Sequence, residues 1–135
     1  MPPTDIAILA KAPVPGFAKT RLIPAFGAHA AAVLQERLTE RAVTTARSAA
    51  LGELTLWCAP DTRHRSFRDL DVTLRQQPDG DLGARMLAAF GARPTLVIGT
   101  DCPALTAQHL REATAALATH EVVLIPADDV GYVLI

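Results

Sequence analysis

Cysteine is scarce in this 135-residue chain: Cys58 and Cys102 stand far apart, without the spacing of a metal site. Reduced thiols in a cytoplasmic protein are the simplest reading of such a pair. No apolar stretch approaches the roughly 20 residues of a membrane span. The opening Met-Pro-Pro-Thr-Asp lacks the basic and apolar regions of a signal peptide, which agrees with a cytoplasmic expectation. Excess charge is missing too. A net charge of −1 gives no global attraction to nucleic acid or to an anionic membrane, so neither is an expected partner. Repeats, low-complexity tracts and linkers are absent, and so is the Gly-x-x-x-x-Gly-Lys-Ser/Thr pattern of a P-loop.

What is present is ordinary globular composition, half hydrophobic and a fifth charged. The length predicts one domain over residues 1–135 with a real core. Short apolar runs recur: Asp5–Ala10, Leu54–Ala59, Val72–Gln76, Leu96–Ile98 and Glu121–Ala127 read as strands. The third alternates and belongs nearer an edge; the continuous run Leu96–Ile98 suits a strand buried on both faces. Helical stretches separate them, at Gly27–Ala50, about Pro60–Leu70, Leu82–Phe90 and Thr106–Thr119. In the first of these Ala31, Leu34, Leu38, Ala42 and Ala46 form the expected apolar stripe, and Gly52 supplies a stop. Strand and helix in alternation predict a three-layer, doubly wound α/β fold with a mainly parallel sheet. His64, His109 and His120 read as surface residues.

In such folds ligands bind beyond the carboxyl ends of the strands, so the loops there carry the chemistry. After the first strand comes Lys11-Ala-Pro-Val-Pro-Gly-Phe-Ala-Lys-Thr-Arg-Leu22. Pro13 and Pro15 forbid helix and keep the loop extended. Lys11, Lys19 and Arg21 on it can neutralise a di- or triphosphate, or can be a solvated basic loop. The third strand leads into Gln77-Pro-Asp-Gly-Asp-Leu-Gly-Ala-Arg-Met86. Asp81 is a candidate helix cap, and Gly83 in the first turn is costly unless something approaches the backbone closely. Gly80, Asp81 and Gly83 therefore suit a nucleoside, or a plain turn and helix start. The Leu96–Ile98 strand ends in Gly99-Thr-Asp-Cys-Pro103. Asp101 there can hold Mg²⁺ or Mn²⁺ and through it a phosphate chain, or can merely cap a turn before the helix at Thr106. Charge is uneven: residues 1–47 carry six basic groups against three acids, and from Thr100 onward five acids face one Arg, as an anion site at the front and a cation site at the back, or chance, would give.

Three of these segments together resemble one family along the whole chain: Ala10–Leu22, Gly80-Asp-Leu-Gly-Ala-Arg-Met86 and Ile98-Gly-Thr-Asp-Cys-Pro103. It is the bacterial glycosyltransferase-A-like group with the nucleotide-diphospho-sugar transferase fold, known largely as uncharacterised or radical-SAM/selenodomain-associated transferases. The Lys-Thr-Arg-Leu loop is also similar to that of phospholactate guanylyltransferases and molybdenum-cofactor nucleotidyltransferases. The resemblance implies a metal-dependent transferase that uses a nucleotide-activated donor. Glycosyl transfer, nucleotidyl transfer and a non-catalytic nucleotide-binding domain all stay open. It further implies that Lys11, Lys19 and Arg21 meet phosphates, that Gly80 to Gly83 meet the nucleoside, and that Asp101 holds Mg²⁺ or Mn²⁺. A nucleotide or nucleotide sugar is then the expected partner.

Two departures stand out. Where the family reads Pro-Ala-x-Asp-Gly-Gly-Tyr this chain has Pro126-Ala-Asp-Asp-Val-Gly-Tyr132, with Val130 in place of a glycine. Asp128 and Asp129 there form a possible second acidic or acceptor-side site. The family also continues past Ile135, so the C-terminal part of the fold is expected to be missing, and the uncovered apolar surface predicts a homo-oligomer.

Overall fold

The computed structural model describes residues 3–91, 93–120, 123, 125–126 and 132–134, with backbone alone at Leu22 and in the last two of these segments. The chain begins with β1 (Asp5–Lys11), a 3-10 turn (Thr20–Leu22) and two helices, α1 (Ile23–Phe26) and α2 (Ala28–Ala49). Next come β2 (Leu54–Ala59), α3 (Arg65–Arg68), β3 (Thr73–Gln76), α4 (Leu82–Ala89), β4 (Thr95–Ile98) and α5 (Ala107–Leu117). The described strands end with β5 (Ile125–Pro126) and β6 (Tyr132–Leu134). Of the strand expected over Glu121–Ala127, Ile125–Pro126 is described as strand.

The sheet order is β3-β2-β1-β4-β6-β5. The first four are mutually parallel, with Ile8 of β1 level with Leu56 of β2 and Ile98 of β4. β6 runs antiparallel to both β4 and β5. β3 lies at the edge, as its alternating pattern predicts.

Side chains alternate across a strand, so β1 sends Ile6, Ile8 and Ala10 to one face and Ala7 and Leu9 to the other. The first set packs with Leu56, Cys58, Leu96 and Ile98 beneath α2, α3 and α5, which contribute Val43, Ala46, Phe67, Leu110 and Ala113. The second set meets Val97, Trp57 and the α4 residues Met86 and Ala89. Helices on both faces make the three layers. Parallel strands need crossover helices, and those helices require apolar side chains on both sides of each central strand.

Two local expectations need correction. The buried stripe of α2 is Ala31, Ala32, Gln35, Thr39, Val43, Ala46 and Ala49, while Leu34 points outward at 40 % exposure. The helix is rotated from its most apolar face because Gln35 and Thr39 find hydrogen-bond partners inside. Nor is Gly52 the helix stop. Ala50 adopts the left-handed conformation there, with φ 51°. Gly52 lies so close to the start of β1 that an added Cβ would stand 2.4 Å from the Thr4 carbonyl oxygen. It is the absence of a side chain that lets the α2–β2 connection pass.

Candidate functional site

The carboxyl ends of β1, β3 and β4 open onto the loops singled out from the sequence. β1 ends at Lys11, whose ammonium lies 5.5 Å from the centre of the Phe17 ring, a cation–π distance. The chain then turns through Pro13 and Gly16 to Lys19, which has φ 52° and ψ 44°. A left-handed backbone at a side-chain-bearing residue is strained by about 1–3 kcal/mol and persists where the surroundings hold it. Here it aims the Lys19 side chain across the rim, where Nζ donates to Oδ1 of Asp101. Arg21 follows on the 3-10 turn and is exposed.

The ion pair is lopsided. The Lys19 side chain is 14 % exposed and that of Asp101 79 %. Burial first, and then the charge of Lys11, lower the Lys19 pKa from the ordinary lysine value. Asp101 follows β4 in an open turn tied down around it rather than through it. Arg41 Nε of α2 donates to the Pro103 carbonyl at 2.9 Å, and the Leu105 amide donates to that of Cys102 at 3.2 Å. Asp101 does not cap α5. That cap is Thr106, in a reciprocal box with exposed His109. The structure thus brings Lys19 and Asp101 together, although 82 positions separate them in sequence.

The third loop is anchored by Gln77. Its amide nitrogen donates to the carbonyls of Trp57 at 2.9 Å and Ala10 at 3.3 Å, which moors the loop beside the end of β1. Gly80 then takes φ +124°, a conformation that disfavours any side chain. Asp81 caps α4 as expected, accepting from the Ala84 amide at 2.9 Å. At Gly83 an added Cβ would meet only Asp81 Oδ1, at an ordinary 3.5 Å, so the fold itself does not demand a glycine. Asp128, Asp129 and Val130 lie outside the described residues.

Sequence reasoning missed four side chains at this rim. Gln35 and Thr100 are buried beneath the two loops, and Gln77 is buried at the third. Arg85 lies one turn into α4; its Nε is enclosed and without a partner among the described residues. No local signal marked Gln35, because the apolar stripe read from the sequence runs through Leu34 beside it. His64, read as a surface residue, is half-buried and caps α3, accepting from the Ser66 amide at 3.1 Å.

The parallel sheet with its loops gathered at one rim is that of the nucleotide-diphospho-sugar transferase fold. A crystal structure described as a "putative nucleotide-diphospho-sugar transferase", from Desulfovibrio desulfuricans G20, matches with a TM-score of 0.85 and 25 % identity. The match takes in 99 % of this chain and 62 % of that one. The 4-diphosphocytidyl-2C-methyl-D-erythritol synthase of Anaerococcus prevotii DSM 20548 shares the fold at 14 % identity and a TM-score of 0.53. There 96 % of this chain covers 63 % of the other, so the chain spans less than two thirds of either structure. It belongs to a family described as uncharacterised proteins conserved in bacteria (DUF2064), whose model matches residues 42–135. That span includes Gly80, Asp81, Gly83 and Asp101 but not the basic loop. No curated protein matches. Among the described residues no helix is long and apolar enough to cross a membrane.

Proposed function

We propose that the chain is the nucleotide-binding part of a transferase that draws on a nucleotide-activated donor, a nucleotide sugar before others. The observation that carries this reading is the meeting of Lys19 and Asp101 across the ends of β1 and β4. A cation loop facing an exposed carboxylate at the rim of an α/β sheet can hold a metal–diphosphate complex, the carboxylate taking the ion and the cations the phosphates. In this reading Lys11, Lys19 and Arg21 bind the phosphate oxygens. Gly80 and Gly83 let the nucleoside lie against the backbone.

Asp101 suits a divalent cation of a particular kind. Its carboxylate is 79 % exposed, and the described residues contain no cluster of three or more His, Cys, Asp or Glu side chains. Mg²⁺ keeps several waters and is commonly held by one or two carboxylates together with substrate phosphates, which fits such a donor set. When bound, the ion would stabilise the charge that develops on the departing phosphate group. Lys19, with its ammonium beside Asp101, would stand against the same charge.

Calorimetric titration of UDP, GDP and their sugar conjugates, without metal and with Mg²⁺ or Mn²⁺, tests the reading. Binding that strengthens with either ion and favours diphosphates over nucleosides supports it. Failure of every nucleotide to bind overturns it. Product analysis with a binding nucleotide sugar or triphosphate then shows which bond breaks: a released nucleoside diphosphate marks glycosyl transfer, and released pyrophosphate marks nucleotidyl transfer.

A further inference from the structure

We propose that Gln35 is a positioning residue that fixes the separation between the basic loop and the Asp101 turn, though it belongs to neither. The nucleotide reading above supplies what the two loops do; the role of Gln35 rests on its own geometry. Its side chain is on α2 and only 3 % of the residue is exposed. Nε2 lies 3.3 Å from the carbonyl oxygen of Lys11, 3.3 Å from Thr39 Oγ1 and 3.4 Å from Thr100 Oγ1. Lys11 is the last residue of β1, and Thr100 immediately precedes Asp101. One amide group therefore touches the ends of both strands whose loops meet in the Lys19–Asp101 pair.

Thr39 fixes which way the amide points. Its hydroxyl donates to the backbone carbonyl of Gln35 at 2.9 Å, so its lone pairs are left to accept from Nε2, whose two N–H groups are shared among the three acceptors. Packing alone would not select this residue, because a buried amide costs free energy unless it is bonded. Further along the same stripe, away from the two loops, α2 uses Val43, Ala46 and Ala49. The polar residues sit where the helix crosses the loops. A misplacement of about 1 Å between groups that hold one ligand can cost on the order of 10²-fold in rate, so a fixed separation has functional value.

Hydrogen exchange read by mass spectrometry, on the full chain without ligand, tests this directly. Gln35→Met removes the donor at nearly constant volume. Exchange should become about five- to tenfold faster in the segments 11–19 and 99–103 together, as expected for one lost hydrogen-bonded tie, while β2 and α5 stay as they were. With Mn²⁺ present, affinity for UDP and GDP should fall about tenfold, in the manner of lost outer-shell support, with affinity for uridine and guanosine unchanged. Thr100→Val cuts one arm and should loosen 99–103 alone. Exchange that rises evenly over the chain, a change in one loop only for Gln35→Met, or equal losses for nucleoside and diphosphate overturns the proposal. If Gln35→Met does not fold, Thr100→Val decides, and unchanged exchange in 99–103 is the negative result. Wild-type protein that binds neither diphosphate would defeat the nucleotide reading, while the exchange pattern would still decide for or against Gln35.

Discussion

Each end of the parallel sheet sets a carboxylate against a cation, and the two ends treat it differently. At the amino end Asp5 Oδ1 accepts from the Glu53 amide at 3.0 Å and from Arg93 Nη2, while Oδ2 accepts from Arg93 Nε at 3.1 Å. Its side chain is 22 % exposed, and Gly52 packs against Thr4 just beside it. Both oxygens are engaged by the protein, so the group ties chain segments together. At the carboxyl end Asp101 accepts from Lys19 and leaves most of its surface to solvent. The backbone there is strained at Lys19 and takes positive φ at Gly80. One carboxylate is thus closed off by the protein, and the other is the one that a group from solution can reach.

The sharpest way to break this contrast is to remove the cations at the open end. Lys19→Met with Arg21→Met should cost about 3–6 kcal/mol in nucleoside diphosphate affinity, at about 1.5–3 kcal/mol for each charge-assisted bond. Affinity for the nucleoside should hardly move, and calorimetry of the pair of ligands reads the difference. Equal losses would mean that the loop acts on folding or on the base.

At the closed end the expected loss is in stability instead. Gly52→Ala drives a methyl against the Thr4 carbonyl and should cost about 1–3 kcal/mol, as overpacking does. Urea denaturation measures it, and diphosphate affinity per folded molecule should be unchanged. An undisturbed midpoint would show that the connection yields more easily than its geometry says.

A matched pair of alanines compares the two carboxylates themselves. Asp5→Ala loses the bond to the Glu53 amide and should destabilise by about 0.5–1.5 kcal/mol, with binding intact. Asp101→Ala should leave the denaturation midpoint where it was and abolish the Mn²⁺ dependence of nucleotide binding. If the two variants exchange phenotypes, the assignment of roles to the two ends is wrong.

Much of this contrast is legible in the chain before any coordinates. Apolar runs ending in Pro, Gly, Lys or Asp mark strands and their carboxyl ends, because burial on two faces leaves the polar residues nowhere else to go. The residues that join the loops are not legible in the same way. Leu34 outranks Gln35 on any hydrophobic stripe, and only the carbonyl of Lys11 and the hydroxyl of Thr100 explain why the amide turns inward. Both partners are remote in sequence, at separations of 24 and 65 residues. The left-handed turn at Lys19 carries no glycine to announce it, and Gly52 announces a helix stop that Ala50 performs. The insertion of β6 between β4 and β5 is long-range pairing that no local pattern encodes.

The smallest effect concerns the two thiols, one sealed and one near the open rim. Cys58 is fully buried on β2, and burial first, then the charge of Asp61, push its pKa from 9.0 up to about 12. Cys102, next to Asp101, is half-buried. Iodoacetamide at pH 8 should therefore alkylate Cys102 and spare Cys58 in the folded protein. Stability follows with a definite sign. Below pH 9 the Cys58 thiol is protonated in both folded and unfolded chains and contributes no pH dependence. As pH rises past 9 the unfolded thiol ionises while the folded one does not, so unfolding gains up to about 1.4 kcal/mol per pH unit until the folded pKa is reached. At pH 9.5 the loss should stay below about 1 kcal/mol. Cys58→Ala should flatten that slope between pH 9 and 10, whereas Cys102→Ala should leave it in place. The same slope in all three proteins would mean that Cys58 ionises as readily folded as unfolded, and that the β2 side of the core is open to water.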